Sequence, residues 1–245
     1  MEKDKMVGEN FDDVANIDKV DKVAGVENVV PDVLGAKSVK IGEKGKLDFV
    51  SFLCDWNKKL EMRVPEHHIR MAKWLAELYY SDKRRGLLMA FRSSGKSTIV
   101  GVFCAWLLYM NPNLRILVVA ADTMLARKMV RNVRRIIELN PLLHSICPKK
   151  KSEWAAGSFT VQRDLELRDP SMLAVGLMSN AVGSRADVII YDDVEVPKTC
   201  STHQKRVELR EKLLEYNFIL VPDGLQLFIG TPHVVESIYK TKKIP

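Results

Sequence analysis

Apolar side chains recur along this chain first at helical spacing and then in short unbroken runs. Phe49, Phe52, Leu53 and Trp56 lie three or four residues apart in 48-DFVSFLCDWNKKL-60, which predicts an amphipathic helix. Pro65 opens a second helix, 66-EHHIRMAKWLAELYY-80, because its fixed φ suits a helix start. Beyond it the pattern changes. The runs 86-GLLMAF-91, 114-LRILVVAA-121, 158-SFTVQ-162, 172-MLAVGLM-178, 188-VIIY-191 and 225-LQLFIG-230 are short and largely apolar, and predict strands. Between them lie helical stretches: one starting near Lys96, the basic 123-TMLARKMVRNVRRIIEL-139, and 201-STHQKRVELREKLLEYNFIL-220. Strands with no water-facing side, alternating with helices, predict an α/β fold: a mainly parallel central sheet with helices on both faces. In such sheets ligands bind at the carboxyl ends of the strands. Residues 1–45 show no sustained period and are expected to be a loosely ordered leader, with a short helix as one option in 17-IDKVDKVAGVENVV-30. The folded domain is expected over 46–245.

Charge adds a partner class to this picture. The leader holds 10 acidic and 7 basic side chains, whereas the remaining 200 residues hold 31 basic and 21 acidic. A basic body favours a polyanionic partner. Cys54, Cys104, Cys147 and Cys200 are far apart with no CxxC pair, against a zinc ribbon or a disulfide framework and consistent with a reducing cytosol. The longest apolar run, 99-IVGVFCAWLLYM-110, is too short to cross a bilayer and reads as a buried helix, so no membrane partner is expected.

The candidate chemistry falls at strand ends. After the strand 86–91 comes Arg92-Ser93-Ser94-Gly95, then a helix beginning Lys96-Ser97-Thr98. Strand, loop and helix N-terminus supply what a phosphate needs: converging backbone N–H groups and a cation. Gly95 permits close backbone approach, Lys96 would reach the β- and γ-phosphates, and Ser97 would bind Mg2+. The first glycine of a standard phosphate loop is Ala90 here. The strand 188–191 runs into Asp192 and Asp193, with Glu195 two residues on. Asp192 would hold the metal through water, and Asp193 or Glu195 would orient the attacking water as general base. A third strand ends in Gly230-Thr231-Pro232, which places a hydroxyl where it could report hydrolysis. Arg92 and Arg185 are candidate cations for the γ-phosphate, with a salt bridge to Asp187 as the structural alternative for Arg185. Arg127, Arg131, Arg134 and Arg135 lie roughly along one helix face, with Lys128 beside them, for DNA phosphate, a neighbouring subunit's nucleotide, or merely solvent. His67 and His68, being adjacent, should face different sides of their helix and make a poor metal pair.

Together these residues resemble the ATPase half of the large terminase subunit, the DNA-packaging motor of tailed bacteriophages, most of all those of podovirus type. The resemblance covers residues 48–245: a helix with M-A-K-x-L-A, then A-F-R-x-x-G-K-S, then G-S-R-A-D running into D-D-V-E, then a G-T-P strand end. It implies a P-loop NTPase of ASCE (RecA-like) type that uses ATP and Mg2+ to pump double-stranded DNA. It further implies a ring, pentameric in the family, at the portal vertex of a procapsid in the host cytoplasm. Portal protein and small terminase subunit would be its partners, and isolated chains would be monomers of weak activity. Residue by residue it assigns Ser93, Ser94, Gly95, Lys96, Ser97 and Thr98 to the nucleotide, Ser97 and Asp192 to the metal, and Arg92 to the γ-phosphate. Asp193 or Glu195 falls on the water, and Thr231, between Gly230 and Pro232, in the coupling motif; Arg185 or a neighbouring subunit is a separate candidate for further positive charge. Where many members carry a glutamine that reads adenine, this chain has His68. Large terminase subunits continue into an RNase H-like nuclease domain. This chain stops at Pro245, so no DNA cleavage is expected of it alone. The rival readings are a superfamily 2-like helicase or other translocase, a small-molecule kinase, and a non-catalytic DNA-binding scaffold.

Overall fold

The computed structural model describes residues 13–16, 47–149, 154–179, 181 and 183–240. Two helices lead in, α1 (Phe49–Lys59) and α2 (Glu66–Tyr80). The Asp48 carboxylate caps α1 by accepting from the Val50 and Ser51 amides, which fixes where the helix starts. Then strands and helices alternate: β2 (Arg85–Met89), α3 (Lys96–Met110), β3 (Ile116–Ala120), α4 (Thr123–Leu139), β4 (Ser158–Phe159), β5 (Met172–Gly176), β6 (Ala186–Asp192), α5 (Pro197–Cys200), α6 (His203–Asn217) and β7 (Leu220–Gly230). Short 3-10 turns follow α4 and β7. The last strand begins earlier than its apolar run suggested, since Leu220 already pairs with Ala186.

Ahead of these elements, Asp13–Asn16 form an edge strand, β1, parallel to β2. The expectation of a loosely ordered leader is thereby amended for four residues; the other leader residues, including 17–30, lie outside those described, as do Lys150 and Lys151. The sheet order is β1-β2-β7-β6-β3-β5-β4, and only the β4–β5 pairing is antiparallel. Helices cover both faces. Along each strand, side chains alternate between them, as period-two geometry requires. Leu88, Val118, Ile190, Leu227 and Ile229 pack toward α1 to α4, whereas Leu87, Val119, Ile189, Tyr191 and Phe228 pack toward α6. The fold is therefore the predicted one in class, a mainly parallel α/β sheet with helices on both faces.

Helix α3 lies largely inside this structure, with eleven of its fifteen residues buried, as its unbroken apolar run implied. Phe103, fully buried, meets Phe49 edge-on with centroids 5.1 Å apart and stacks on Trp106 at 5.8 Å. Phe103→Ala should cost about 3–5 kcal/mol, the range for removing a buried aromatic ring that its neighbours cannot replace. Urea denaturation measures it directly.

Candidate active site

Strand register sets the site before any side chain does. Met89 pairs with Gly230, Ile229 with Asp192, and Asp192 with Ala120. The carboxyl ends of β2, β7, β6 and β3 are thus level, with β7 between the loop strand and the acid strand. Residues far apart in sequence meet there.

The loop after β2 closes on itself. Lys96 is 8% exposed, and its Nζ donates to the Ala90 carbonyl at 2.8 Å, the Phe91 carbonyl at 3.1 Å and Thr231 Oγ1 at 3.3 Å. Thr231 Oγ1 in turn donates to Ala90 O at 3.3 Å. The departure from glycine at Ala90 is accommodated, since it is the carbonyl of that residue which both side chains use. Among the described residues Lys96 has only neutral oxygens as hydrogen-bond partners, and a buried ammonium of this kind is suited to an incoming anion. Ser93 (φ 63°) and Gly95 (φ 82°) take left-handed conformations that turn the loop back toward the helix. Ser94 is buried, with its Oγ unpartnered. Arg92, Ser93 and Thr98 are exposed, Arg92 at the mouth of the loop.

Gly95 has a second reason to be glycine: a Cβ there would stand 2.6 Å from His68 Nε2. His68 Nε2 lies 2.9 Å and His67 Nε2 3.2 Å from the Ser94 carbonyl, so both imidazoles donate to one oxygen. The expectation that these neighbours face apart is corrected. They sit in the first turn of α2, and from a helix end two adjacent side chains converge on a point beyond it; their rings are 4.5 Å apart. Burial pushes the His68 pKa down, which keeps the ring neutral. Its Nδ1 is buried and unpartnered, and its Nε2 braces the loop.

At the next strand end Ser97 Oγ donates to Asp192 Oδ1 at 2.9 Å. Burial raises the Asp192 pKa to about 6; the charge of Asp193 adds to this, while Ser97 and Lys96 oppose it. Asp193 follows in a left-handed conformation, φ 45°, with its amide donating to Ile229 O. Glu195 is turned away from solvent, 1% exposed. Its Oε1 accepts from the His233 amide at 2.9 Å and its Oε2 from the Ile238 amide at 2.8 Å. At Gly230 a Cβ would fall 2.4 Å from the Tyr239 ring, so glycine lets that ring close over the end of β7.

Arg185 is not brought to this site. It precedes β6, whereas Asp192 ends it, so roughly 20 Å of strand separates them. Its guanidinium donates to Phe218 O at 3.0 Å and its amide to Asp169. Nor does it pair with Asp187, which Arg115 holds at 2.9 Å. Arg185→Ala should therefore leave turnover by dilute protein within about twofold, the scale of a surface change away from the chemistry. A larger loss that appears only at high protein concentration would show the arginine acting on a second copy. On α4, Arg127, Lys128, Arg131 and Arg135 are exposed, but Arg134 turns inward. It pairs with Glu138 at 3.4 Å, donates to Trp154 O and lies over the Trp154 ring.

Fold and strand-end geometry together define a P-loop protein of the ASCE, RecA-like class. Among known proteins, the terminase large subunit of Enterobacteria phage T3 is 36% identical over 198 residues, 80% of this chain. Over that stretch the chain is a homologue of the phage terminase large subunit, as its motifs anticipated. The chain spans about a third of the length of that relative (33%). No family model matches the sequence. Two solved structures are similar in outline at 13% identity. The HK97 bacteriophage large terminase has a TM-score of 0.46 over 69% of this chain and 33% of its own. The S. cerevisiae dbp5 variant l327v, bound to nup159, gle1 h337r, IP6 and ADP, has 0.49 over 79% and 50%. Among the described residues no helix is long and apolar enough to cross a membrane.

Proposed function

We propose that this chain carries the ATP-hydrolysing motor of a terminase large subunit, which drives double-stranded DNA into a procapsid. One observation supports the reading above others. Lys96 touches Thr231 at 3.3 Å while Ser97, the next residue, touches Asp192 at 2.9 Å, so loop, acid strand and coupling strand meet around one point.

The residues divide the work by chemistry. Backbone amides of the loop and the N-terminus of α3 face a phosphate chain, and Lys96 adds a cation that need only turn from the Ala90 and Phe91 carbonyls. Ser97 and Asp192 offer hard oxygens with room for water ligands, a donor set that suits Mg2+. Bound there, Mg2+ would neutralise charge on the β- and γ-phosphate oxygens. Asp193 stands beside this pair with no hydrogen bond to its carboxylate among the described residues, placed to take a proton from water. Arg92 at the loop mouth would meet charge developing on the γ-phosphate. Thr231 would register loss of that phosphate through Lys96 and Ala90 O.

Homology to a terminase subunit supports the wider setting: DNA, portal protein and small subunit as partners, an ATP-driven ring, and action at the portal vertex in the host cytoplasm. The exposed cations of α4 and the net charge of +7 fit a polyanionic track. Phosphate release from ATP by the purified chain tests the catalytic core of the reading. Release is expected that requires Mg2+, and a chain that neither binds nor hydrolyses ATP at millimolar concentration would overturn it.

A further inference from the structure

Glu195 lies two residues beyond Asp193 and is its rival as general base. A base must present a free oxygen to water. Both oxygens of Glu195 are engaged instead, each by a backbone N–H, at 2.9 and 2.8 Å, and the side chain is 1% exposed. Charge-assisted bonds of this length are the strong ones, so the carboxylate is fixed rather than poised. The two amides belong to His233 and Ile238, which bracket the segment just after Thr231. The same segment is pinned twice more. Tyr239 lies over Gly230 and its hydroxyl accepts from the Glu195 amide at 3.5 Å; on the outside Arg206 pairs with Glu236 at 2.6 Å.

We propose that Glu195 is a positioning residue, a latch that fastens residues 231–239 to the acid turn at the end of β6. Thr231 touches Lys96, and Asp193 is two residues from Glu195, so the latch fixes the spacing between the phosphate-contacting end of β7 and the water-facing acid. It acts through Asp193 and Thr231 and touches no substrate. The proposal rests on the ATPase reading above and deepens it: the two acids left open by the sequence have different tasks.

The test compares Glu195→Gln with His233→Pro in the full chain, reading ATP turnover and hydrogen exchange at the His233 and Ile238 amides. Glutamine retains one accepting oxygen but turns an NH2 toward the other backbone N–H, so the latch opens at one side. Expected are about tenfold faster exchange at whichever of the His233 and Ile238 amides faces the NH2, the scale of losing one buried hydrogen bond to a charged group, and a turnover loss of about tenfold. A base would behave otherwise. Its removal should cost about 10²–10⁴-fold in turnover while His233→Pro, which spares the carboxylate, turns over at the wild-type rate, and that result overturns the proposal. His233→Pro deletes one donor and leaves the carboxylate whole, so it decides the matter if Glu195→Gln fails to fold or if both readouts move. The latch requires His233→Pro to slow turnover; wild-type turnover in that variant sinks it. Were the wild-type chain to hydrolyse no ATP, exchange at the two amides would still report the latch, so the two readings fail separately.

Discussion

Lys96→Ala should lower ATP turnover at least 10²–10³-fold, the loss usual when one preorganised charge-stabilising donor is removed from a closed site. The ammonium is buried at the centre of the loop, within reach of Ala90 O, Phe91 O and Thr231 Oγ1, so no other side chain on the loop can take its place. The other cation of the loop, Arg92, is exposed. Folding should survive. Alanine keeps the helix start, and the loss of the donor to the Ala90 and Phe91 carbonyls, about 1–3 kcal/mol, is offset by removal of a buried charge. A phosphate-release assay beside a thermal melt separates the two effects. Equal turnover by wild type and variant would dismiss the ATPase and leave the scaffold reading.

Asp193→Gly should move stability and activity in opposite directions. The backbone at Asp193 is left-handed, φ 45°, a region that glycine enters freely and aspartate at a cost. Asp193 also places like charge beside the buried Asp192, whose pKa it helps to raise. Relief of both should stabilise the protein by up to about 1 kcal/mol, after the extra chain entropy of glycine. Turnover should nonetheless fall about 10²–10⁴-fold, the contribution of a general base. Denaturation midpoint and steady-state rate are the two measurements. Turnover retained within tenfold would remove Asp193 from the chemistry.

How much of this was legible follows from which interactions are local. Helix α1 could be read from Phe49, Phe52, Leu53 and Trp56 because 3.6-residue spacing is written in the chain itself. The loop and the acid strand could be read because phosphate and metal chemistry demand particular residues at particular strand ends. Strand β1 could not: its four residues, Asp13–Asn16, carry no pattern, and it exists through pairing with β2 some seventy residues later. Arg185 shows a signal available but unused. A residue just before a parallel strand lies at the edge opposite the ligands, so its position alone removed it from its own nucleotide. The tasks of Glu195 and His68 were beyond reach, since each depends on backbone groups, the His233 and Ile238 amides and the Ser94 carbonyl, that no residue type announces.

Helix α3 carries the phosphate loop at one end and is buried along most of its length, with Phe103 and Trp106 sealed among other rings. The motor proposed above would need a stator as well as a moving part. Turning or sliding α3 would open voids on every side of it, and close-packed interiors resist that strongly. In the ATPase reading proposed above, force arising at the loop would be braced by this core rather than absorbed by it. The nucleotide would stand still on the rigid end of the molecule.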